Sequence, residues 1–215
     1  LELAVGYFQQ GQTTIALDEL KLSLAADPTF ADAYNLRGLI YMRMNDNRLA
    51  EDSFRRAMQL NPRDGNILHN YAWLLCQQDR YTESFPYFNQ ALASPQYEDQ
   101  PKTYMALGMC QSRSGLPAEA ERSLMRSYEL DAANPITGQQ LTQLFFNRGE
   151  FSRAQFYIRR INNSERASAE TLWLGMKVER RMENRDALLQ LGMQLKRRFP
   201  NSREASAYDR GAWDE

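Results

Sequence analysis

One pattern of small and aromatic residues returns along this chain about every 34 residues, and it limits what the chain can fold into. Its clearest copy reads Tyr34, Gly38, Tyr41, Ala50, Phe54, Ala57 and Pro62. One small position occurs six times, at Ala16, Ala50, Ser84, Ala120, Ala154 and Ala187, with steps of 34, 34, 36, 34 and 33 residues. Repeats of this length are single supersecondary units that bury their apolar faces on their neighbours, so an array of stacked units is expected.

The pattern resembles the tetratricopeptide repeat, in which two helices carry aromatic and small residues at these spacings and a proline follows. This resemblance implies an all-α fold, a right-handed solenoid of six tetratricopeptide (TPR) helical hairpins plus a short C-terminal capping helix. We expect one domain over residues 1–215, with units at about 1–30, 31–64, 65–100, 101–134, 135–167 and 168–200 and the cap at 201–215.

A second small position indicates where the two helices of each hairpin cross. It is occupied by Ala4, Gly38, Ala72, Gly108, Thr142 and Gly175. A bulky side chain at a crossing would force the backbones apart, so we interpret these residues as structural. Residues 94–101, with two prolines, form the longest predicted loop and are expected to be a surface elaboration. Ser202 is a suitable N-cap for the last helix.

Bulk composition disfavours several function classes. The 26 Lys and Arg residues nearly balance the 27 Asp and Glu residues, which argues against a nucleic-acid partner. No apolar run approaches the ~20 residues that span a bilayer. The first residue is Leu1, so we interpret the chain as a mature or trimmed form whose targeting segment has been removed.

No pattern of catalytic or ligand-binding residues is recognisable. His69 is the single histidine, and we expect it to be solvated or hydrogen-bonded. The nucleophile-elbow, phosphate-loop and dinucleotide-binding motifs are missing from the sequence. We therefore predict a protein that is no enzyme, with no catalytic residues, no cofactor and no metal.

Cys76 and Cys110 fall late in the first helices of the third and fourth units. Equivalent helices of successive units lie side by side in a solenoid, so the two side chains are expected to be close. The spacing alone leaves two alternatives, a disulfide or a pair of buried thiols.

The face of the first helices that does not pack is the predicted partner-binding groove. In the second unit we place Asn35, Leu39, Met42 and Arg43 on that face, and in the third unit Asn66, His69, Asn70, Trp73 and Cys76. The residues predicted to bind a partner are Phe8, Asn35, Leu39, Met42, Asn70, Trp73, Met105 and Met109. Large apolar side chains in the middle suit an extended or helical peptide, and the two asparagines can pair with its backbone. The alternative is that these side chains pack on neighbouring hairpins and are largely buried.

Two segments carry a narrower resemblance. The run Asn70-Tyr71-Ala72-Trp73 and the ending Leu195-Lys196-Arg197-Arg198-Phe199-Pro200-Asn201-Ser202 resemble the PilF/PilW family of type IV pilus biogenesis proteins. The resemblance implies an outer-membrane lipoprotein on the periplasmic side, anchored through a lipidated N-terminal Cys that this chain lacks. It implies a pilotin that helps the secretin subunit reach the outer membrane and multimerise, that works with other pilus biogenesis proteins, and that supports pilus stability and twitching motility. Because the periplasm is oxidising, the family resemblance favours the Cys76–Cys110 disulfide.

Two other functions fit a repeat array of this kind. One is a general peptide-binding adaptor or secretion chaperone in the cytoplasm. The other is the helical-repeat arm of an enzyme such as a glycosyltransferase. The N-terminus of the full-length protein and the downstream reading frame distinguish these from the pilotin.

Overall fold

The computed structural model describes residues 1–213, which form thirteen α-helices and no β-strand. The helices are α1 Glu2–Gln9, α2 Thr13–Ala26, α3 Ala31–Arg43, α4 Asn47–Leu60, α5 Gly65–Gln77, α6 Tyr81–Leu92, α7 Gln100–Arg113, α8 Pro117–Leu130, α9 Pro135–Asn147, α10 Phe151–Asn162, α11 Ala169–Arg181, α12 Arg185–Arg198 and α13 Arg203–Arg210. The predicted all-α class and its hairpin repeat are confirmed. The chain divides into two compact units, unit 1 over Leu1–Gly115 and unit 2 over Leu116–Glu215.

Unit 1 is built from antiparallel hairpins of consecutive helices. The pairs are α1 with α2, α3 with α4, and α5 with α6, and α7 packs on α6. The first helices also touch one another, α3 against α5 and α5 against α7. A continuous row of first helices therefore forms one side of unit 1.

Unit 2 follows the same rule from α8 onward. Helix α9 packs on α8 and α10, and α11 packs on α10 and α12. The last helix, α13, packs on α11 and α12, as predicted for a cap. The Ser202 side chain accepts a hydrogen bond from the Ala205 N–H at 3.1 Å and fixes the start of α13. Residues 214 and 215 of the predicted cap lie outside the described residues.

Six of the turns between consecutive helices place one residue in the left-handed region. These residues are Gly11, Asn45, Asp79, Gly115, Gly149 and Glu183, with φ between 58° and 79°. Glycine adopts this conformation without a Cβ clash, and asparagine and aspartate tolerate it better than most residues. Glycine at this position is itself a sequence signal for the turn, whereas the same turn at Glu183 lacks one.

The small residues of the crossing position are buried between paired helices. Ala4, Gly38, Ala72, Gly108, Thr142 and Gly175 are all buried. At Gly38 the reason is visible in atomic detail, because an added Cβ would lie 2.6 Å from the ring of Phe54 on α4. The steric interpretation of this position agrees with the structure.

The segment before α7 is more than the surface elaboration predicted for residues 94–101. Its Tyr97 is buried, and the ring lies over Gly65, where an added Cβ would overlap it. The Tyr97 hydroxyl is 2.6 Å from Oγ1 of Thr103, which is also buried. This part of the prediction is wrong because the loop folds back and contributes an aromatic side chain to the core of unit 1.

Candidate functional site

The candidate site is the row of partly exposed side chains that α1, α3, α5 and α7 present on one side of unit 1, here named the A face. It consists of Phe8, Asn35, Leu39, Met42, Asn70, Trp73, Met105 and Met109, and every one of these side chains is half-buried. None is fully exposed and none is fully enclosed, and the binding of a partner by these residues stays a prediction. Each residue is fixed by its neighbours and still retains surface for a ligand.

An apolar line runs across the A face because the repeat places similar residues in register. Leu39, Trp73 and Met109 each follow directly the small residue at the crossing position of their helix. Trp73 packs against the core cluster around Ala72, Phe88 and Leu107. Leu39 and Met42 pack against the neighbouring cluster that includes Leu74 and Leu75. The line is therefore held on rigid helices, which suits the binding of an apolar segment.

The two asparagines of the A face lie next to each other. Asn70 Nδ2 donates a hydrogen bond to Asn35 Oδ1 at 3.0 Å, which joins α5 to α3. Within residues 1–213 no other side-chain partner is recorded for Asn35 Nδ2 or Asn70 Oδ1. The amide nitrogen of Asn35 and the amide oxygen of Asn70 thus remain as a donor group and an acceptor group, the combination that a peptide bond of a partner requires.

Arg43 lies where α1 meets α3. Its Nη1 donates to the carbonyl oxygen of Phe8 at 3.1 Å, and its guanidinium carbon lies 5.5 Å from the centre of the Phe8 ring. This contact fixes the aromatic end of the A face and adds a positive charge beside it.

His69 and Cys76 do not belong to the A face, although the sequence pattern placed them there. Both are buried, His69 at 4% exposure and Cys76 at 0%. The reason is that α5 packs on α3, α6 and α7 together, so it has little open surface. His69 Nδ1 lies 2.7 Å from Thr103 Oγ1 of α7. Burial, with a smaller effect of Lys102, lowers the pKa of His69 to about 3, so the ring is neutral at pH 7.

Cys76 and Cys110 are joined in a disulfide that connects α5 to α7, with the Cα atoms 5.9 Å apart. Both cysteines are fully buried. The bridge lies next to the A face, since Met109 precedes Cys110 directly and Trp73 is one helical turn before Cys76. It fixes the spacing between the helices that carry these two apolar residues.

The A face shows no arrangement suited to chemistry. Within residues 1–213 no cluster of three or more His, Cys, Asp or Glu side chains is placed to hold a metal ion. In the same part of the chain, no helix has the length and apolar character needed to cross a membrane. What the A face offers is a fixed apolar surface with a pair of amides.

Comparison with known proteins agrees with this geometry. Residues 31–64 and 101–134 each match the tetratricopeptide repeat family. The type IV pilus assembly protein PilF of Pseudomonas aeruginosa is 28% identical over 204 residues, which is 95% of this chain and 81% of PilF. The chain is a tetratricopeptide-repeat protein homologous to PilF.

Two proteins of solved structure share its fold over nearly their whole length. PilW, described as a widely conserved type IV pilus biogenesis factor, superimposes with a TM-score of 0.89 at 29% identity, covering 96% of this chain and 95% of PilW. Pseudomonas aeruginosa PilF superimposes with a TM-score of 0.86 at 27% identity, covering 98% of this chain and 95% of the other. This tetratricopeptide-repeat protein therefore resembles two type IV pilus proteins in both sequence and structure.

Proposed function

We propose that this protein acts in type IV pilus biogenesis as a non-enzymatic scaffold, a pilotin that binds the secretin subunit and assists its localisation and multimerisation in the outer membrane. The observation that carries the proposal is the similarity to PilF and PilW over nearly the full chain. Other pilus biogenesis proteins are further partners on this proposal, and pilus stability and twitching motility depend on the scaffold.

The A face is the proposed contact surface for the secretin. An apolar side chain of the partner packs on Leu39, Trp73 and Met109, and Trp73 supplies the largest rigid area. The flexible side chains of Met42 and Met105 adapt to the shape of the partner. Asn35 and Asn70 bind a peptide group of the partner through the donor and acceptor that their mutual hydrogen bond leaves over.

The proposed location is the periplasmic face of the outer membrane, with a lipid anchor in the full-length protein. The Cys76–Cys110 disulfide supports this location, because such bonds persist in oxidising compartments. Membrane fractionation of the native protein tests it: recovery with the cytoplasm would favour a general peptide-binding adaptor instead.

A binding assay with purified secretin subunit tests the contact surface. We expect Trp73→Ala combined with Met42→Ala to weaken binding at least about tenfold, because anchors of this kind dominate interface energies. The matched control is Leu22→Ala combined with Ile15→Ala, two exposed apolar residues of α2 that lie outside the A face. Circular dichroism must show equal helicity in both proteins. Equal affinity of the two variants would remove the A face from the proposal.

Deletion of the gene tests the pilotin role itself. We expect the deletion strain to lose heat-stable secretin multimers from outer-membrane fractions, as seen on a blot, and to lose piliation. Re-expression of the wild-type chain should restore both, and the Trp73→Ala and Met42→Ala variant should not. Normal multimers with normal piliation in the deletion strain would contradict the pilotin role.

A further inference from the structure

A cavity of about 200 Å³ lies at one end of the α9–α10 hairpin in unit 2. Side chains from the end of α8, the start of α9 and the end of α10 form its walls, chiefly Tyr128, Pro135, Gly138, Tyr157 and Ile161. Arg160 and Arg166 also line the cavity, and both are exposed. The cavity therefore reaches the surface, where a ligand can enter it.

The cavity lies where the other first helices carry a side chain. Four residues before the small crossing position, the chain has Tyr34, Leu68, Tyr104, Gly138 and Thr171. Gly138 is the one glycine in this series, and it lines the cavity. A repeat that lacks a large side chain at a packing position leaves space unless its neighbours fill it.

The second hairpin of unit 1 offers a direct comparison, because its helices match those around the cavity one for one. Helices α3 and α9 begin 104 residues apart, and so do α4 and α10. The preceding loops also agree: Asp27 Oδ1 accepts a hydrogen bond from the Thr29 N–H at 2.9 Å, and Asp131 Oδ1 accepts one from the Ala133 N–H at 3.1 Å. Residues 104 apart in these two segments therefore occupy equivalent places.

Tyr34 shows what fills the equivalent space in unit 1. Its hydroxyl donates to the carbonyl oxygen of Pro28 at 3.2 Å, and the guanidinium carbon of Arg56 lies 5.8 Å from the centre of its ring. The residues equivalent to these two partners are Ala132 and Arg160, and both line the cavity. The cavity thus retains the residues that contact a tyrosine, whereas the tyrosine itself is replaced by glycine.

Two neighbours of Gly138 are larger than their counterparts and fill part of the space. Ile161 stands where unit 1 has Ala57, and Tyr128 stands where it has Leu24. The Cδ1 atom of Ile161 would lie only 3.0 Å from a Cβ at position 138. The remaining volume of about 200 Å³ is still sufficient for a ring, since an apolar cavity of about 150 Å³ can hold benzene.

The walls of the cavity suit an aromatic ligand better than an aliphatic one. The rings of Tyr128 and Tyr157 meet edge to face with their centres 5.0 Å apart. The guanidinium carbon of Arg160 lies 5.8 Å from the centre of the Tyr128 ring, so a cation adjoins this aromatic wall. A further ring can pack edge to face against the tyrosines and attract the guanidinium through its π-face.

We propose that this cavity, here named the ring pocket, is a docking site for a tyrosine side chain of a polypeptide partner. The partner's ring takes the place that Tyr34 has in unit 1, between Ile161 and the aromatic wall. Its phenol group donates a hydrogen bond to the carbonyl oxygen of Ala132, and Arg160 lies beside the ring. Buried tyrosines are frequent anchors of protein interfaces. The proposal does not depend on the A face, which belongs to unit 1.

Short peptides with one aromatic residue test the ring pocket on the full chain. The probe is acetyl-Gly-Tyr-Gly-amide, titrated into ¹⁵N-labelled protein. It should shift the amide signals of the α8–α9 loop and of the end of α10. The same peptide with phenylalanine should bind about fivefold more weakly, the effect of one hydrogen bond, and the peptide with leucine should bind more weakly still.

Filling the pocket from within the chain should abolish peptide binding. Gly138→Tyr with Ile161→Ala reproduces the Tyr34 and Ala57 pair of unit 1, so the protein's own ring should occupy the cavity. The second change is needed because Ile161 leaves little room for a Cβ at position 138. Circular dichroism and the amide spectrum show whether this variant keeps its fold.

A surface variant tests the pocket without altering its interior. Arg160→Gln should weaken binding of the tyrosine peptide about threefold, because it removes the cation beside the ring. The matched control is Arg122→Gln, an exposed arginine of α8 outside the cavity, which should leave binding unchanged. The variant Trp73→Ala with Met42→Ala should also bind the peptide normally, so the ring pocket and the proposed secretin contact can fail separately.

Four results would overturn the proposal. The first is a wild-type spectrum that the tyrosine peptide leaves unchanged, and the second is equal binding of the leucine peptide. The third is undiminished binding to a folded Gly138→Tyr and Ile161→Ala protein, which would place the peptide elsewhere. The fourth is equal weakening by Arg160→Gln and Arg122→Gln, since it would mean that general surface charge attracts the peptide.

Discussion

A glycine at position 38 sets how closely the two helices of its hairpin approach. The ring of Phe54 is fully buried and occupies the space that a Cβ at position 38 would need. Because the buried ring has no space to move into, any side chain at position 38 would push the two helices apart and destabilise their packing. At this crossing a single methyl group decides the fit.

Gly38→Ala is therefore expected to destabilise the protein by about 1–3 kcal/mol, as overpacking does, despite the better helix propensity of alanine. Gly6→Ala is the matched control, because no atom lies within 4 Å of the Cβ it would add on α1. Gly6→Ala should stabilise by about 0.5–1 kcal/mol. Urea unfolding of both variants measures the difference, and equal shifts would contradict the steric argument.

His69 gives unit 1 a stability that depends on pH. Its pKa is lowered to about 3 in the folded protein, mainly by burial, against about 6.5 for an unfolded histidine. Between these two values the unfolded chain binds the proton and the folded chain does not, so stability falls as the pH falls below about 6.5. From pH 7 to pH 5 this linkage amounts to about 2 kcal/mol.

The prediction is checked by the free energy of unfolding at pH 7 and pH 5 in wild type and in His69→Gln. The glutamine variant is expected to start less stable, because it alters the contact with Thr103, but to lose less stability over that interval. Identical pH dependence of the two proteins would mean that His69 is accessible to protons in the folded state. Restricting the range to pH 5 and above keeps most carboxylates ionised in both states.

At the scale of elements, α5 holds unit 1 together. It packs on α3, α6 and α7. A chain of buried polar groups connects the loop before α7 to α5, because the Tyr97 hydroxyl lies beside Thr103 of α7 and Thr103 lies beside His69 of α5. The Tyr97 ring also covers Gly65 at the start of α5. The loop therefore closes one end of the α5–α7 contact.

Tyr97→Ala should cost about 3 kcal/mol, since it removes a buried ring and leaves a cavity. Tyr97→Phe removes only the hydroxyl group and should cost about 1 kcal/mol. Gln96→Ala, an exposed change in the same loop, should stay within about 0.5 kcal/mol of wild type. Chemical denaturation followed by tyrosine fluorescence and circular dichroism ranks the three, and a Tyr97→Ala protein as stable as Gln96→Ala would contradict this role of the loop.

The sequence predicts the elements that the repeat dictates and fails where the repeat is interrupted. Helix pairing and the buried small residues follow from periodicity, because every hairpin solves the same steric problem. Tyr97 lies in a loop without a periodic pattern. Its burial depends on how the backbone of the loop folds back on α5, which the sequence does not predict. His69 shows a second kind of error. The helical pattern predicts this polar residue on the open face, but it is buried because α5 has partners on three sides.

Sequence reasoning reaches the A face only in part. The residues of the A face follow from helical spacing alone, but the hydrogen bond between Asn35 and Asn70 does not, since it depends on the side-chain geometry of adjacent helices.

At the scale of the whole molecule, stability is expected to be local. In a repeat array each unit gains its stability from its own packing and from its neighbours, so a perturbation spreads only a short way. The disulfide is the strongest local constraint in unit 1, since it closes a segment of 34 residues between Cys76 and Cys110. In the chain-entropy description such a closure stabilises by about 3–4 kcal/mol.

Replacing the bridge by Cys76→Ala with Cys110→Ala should therefore destabilise one region and leave another unchanged. We expect faster amide hydrogen exchange in α5, α6 and α7, and unchanged exchange in α12 and α13 of unit 2. Because the bridge sets the spacing of the helices that carry Trp73 and Met109, the same variant should also bind the secretin subunit more weakly. Faster exchange throughout the chain would show that the two units unfold together, and unchanged exchange in α5–α7 would show that packing alone fixes this part of the A face.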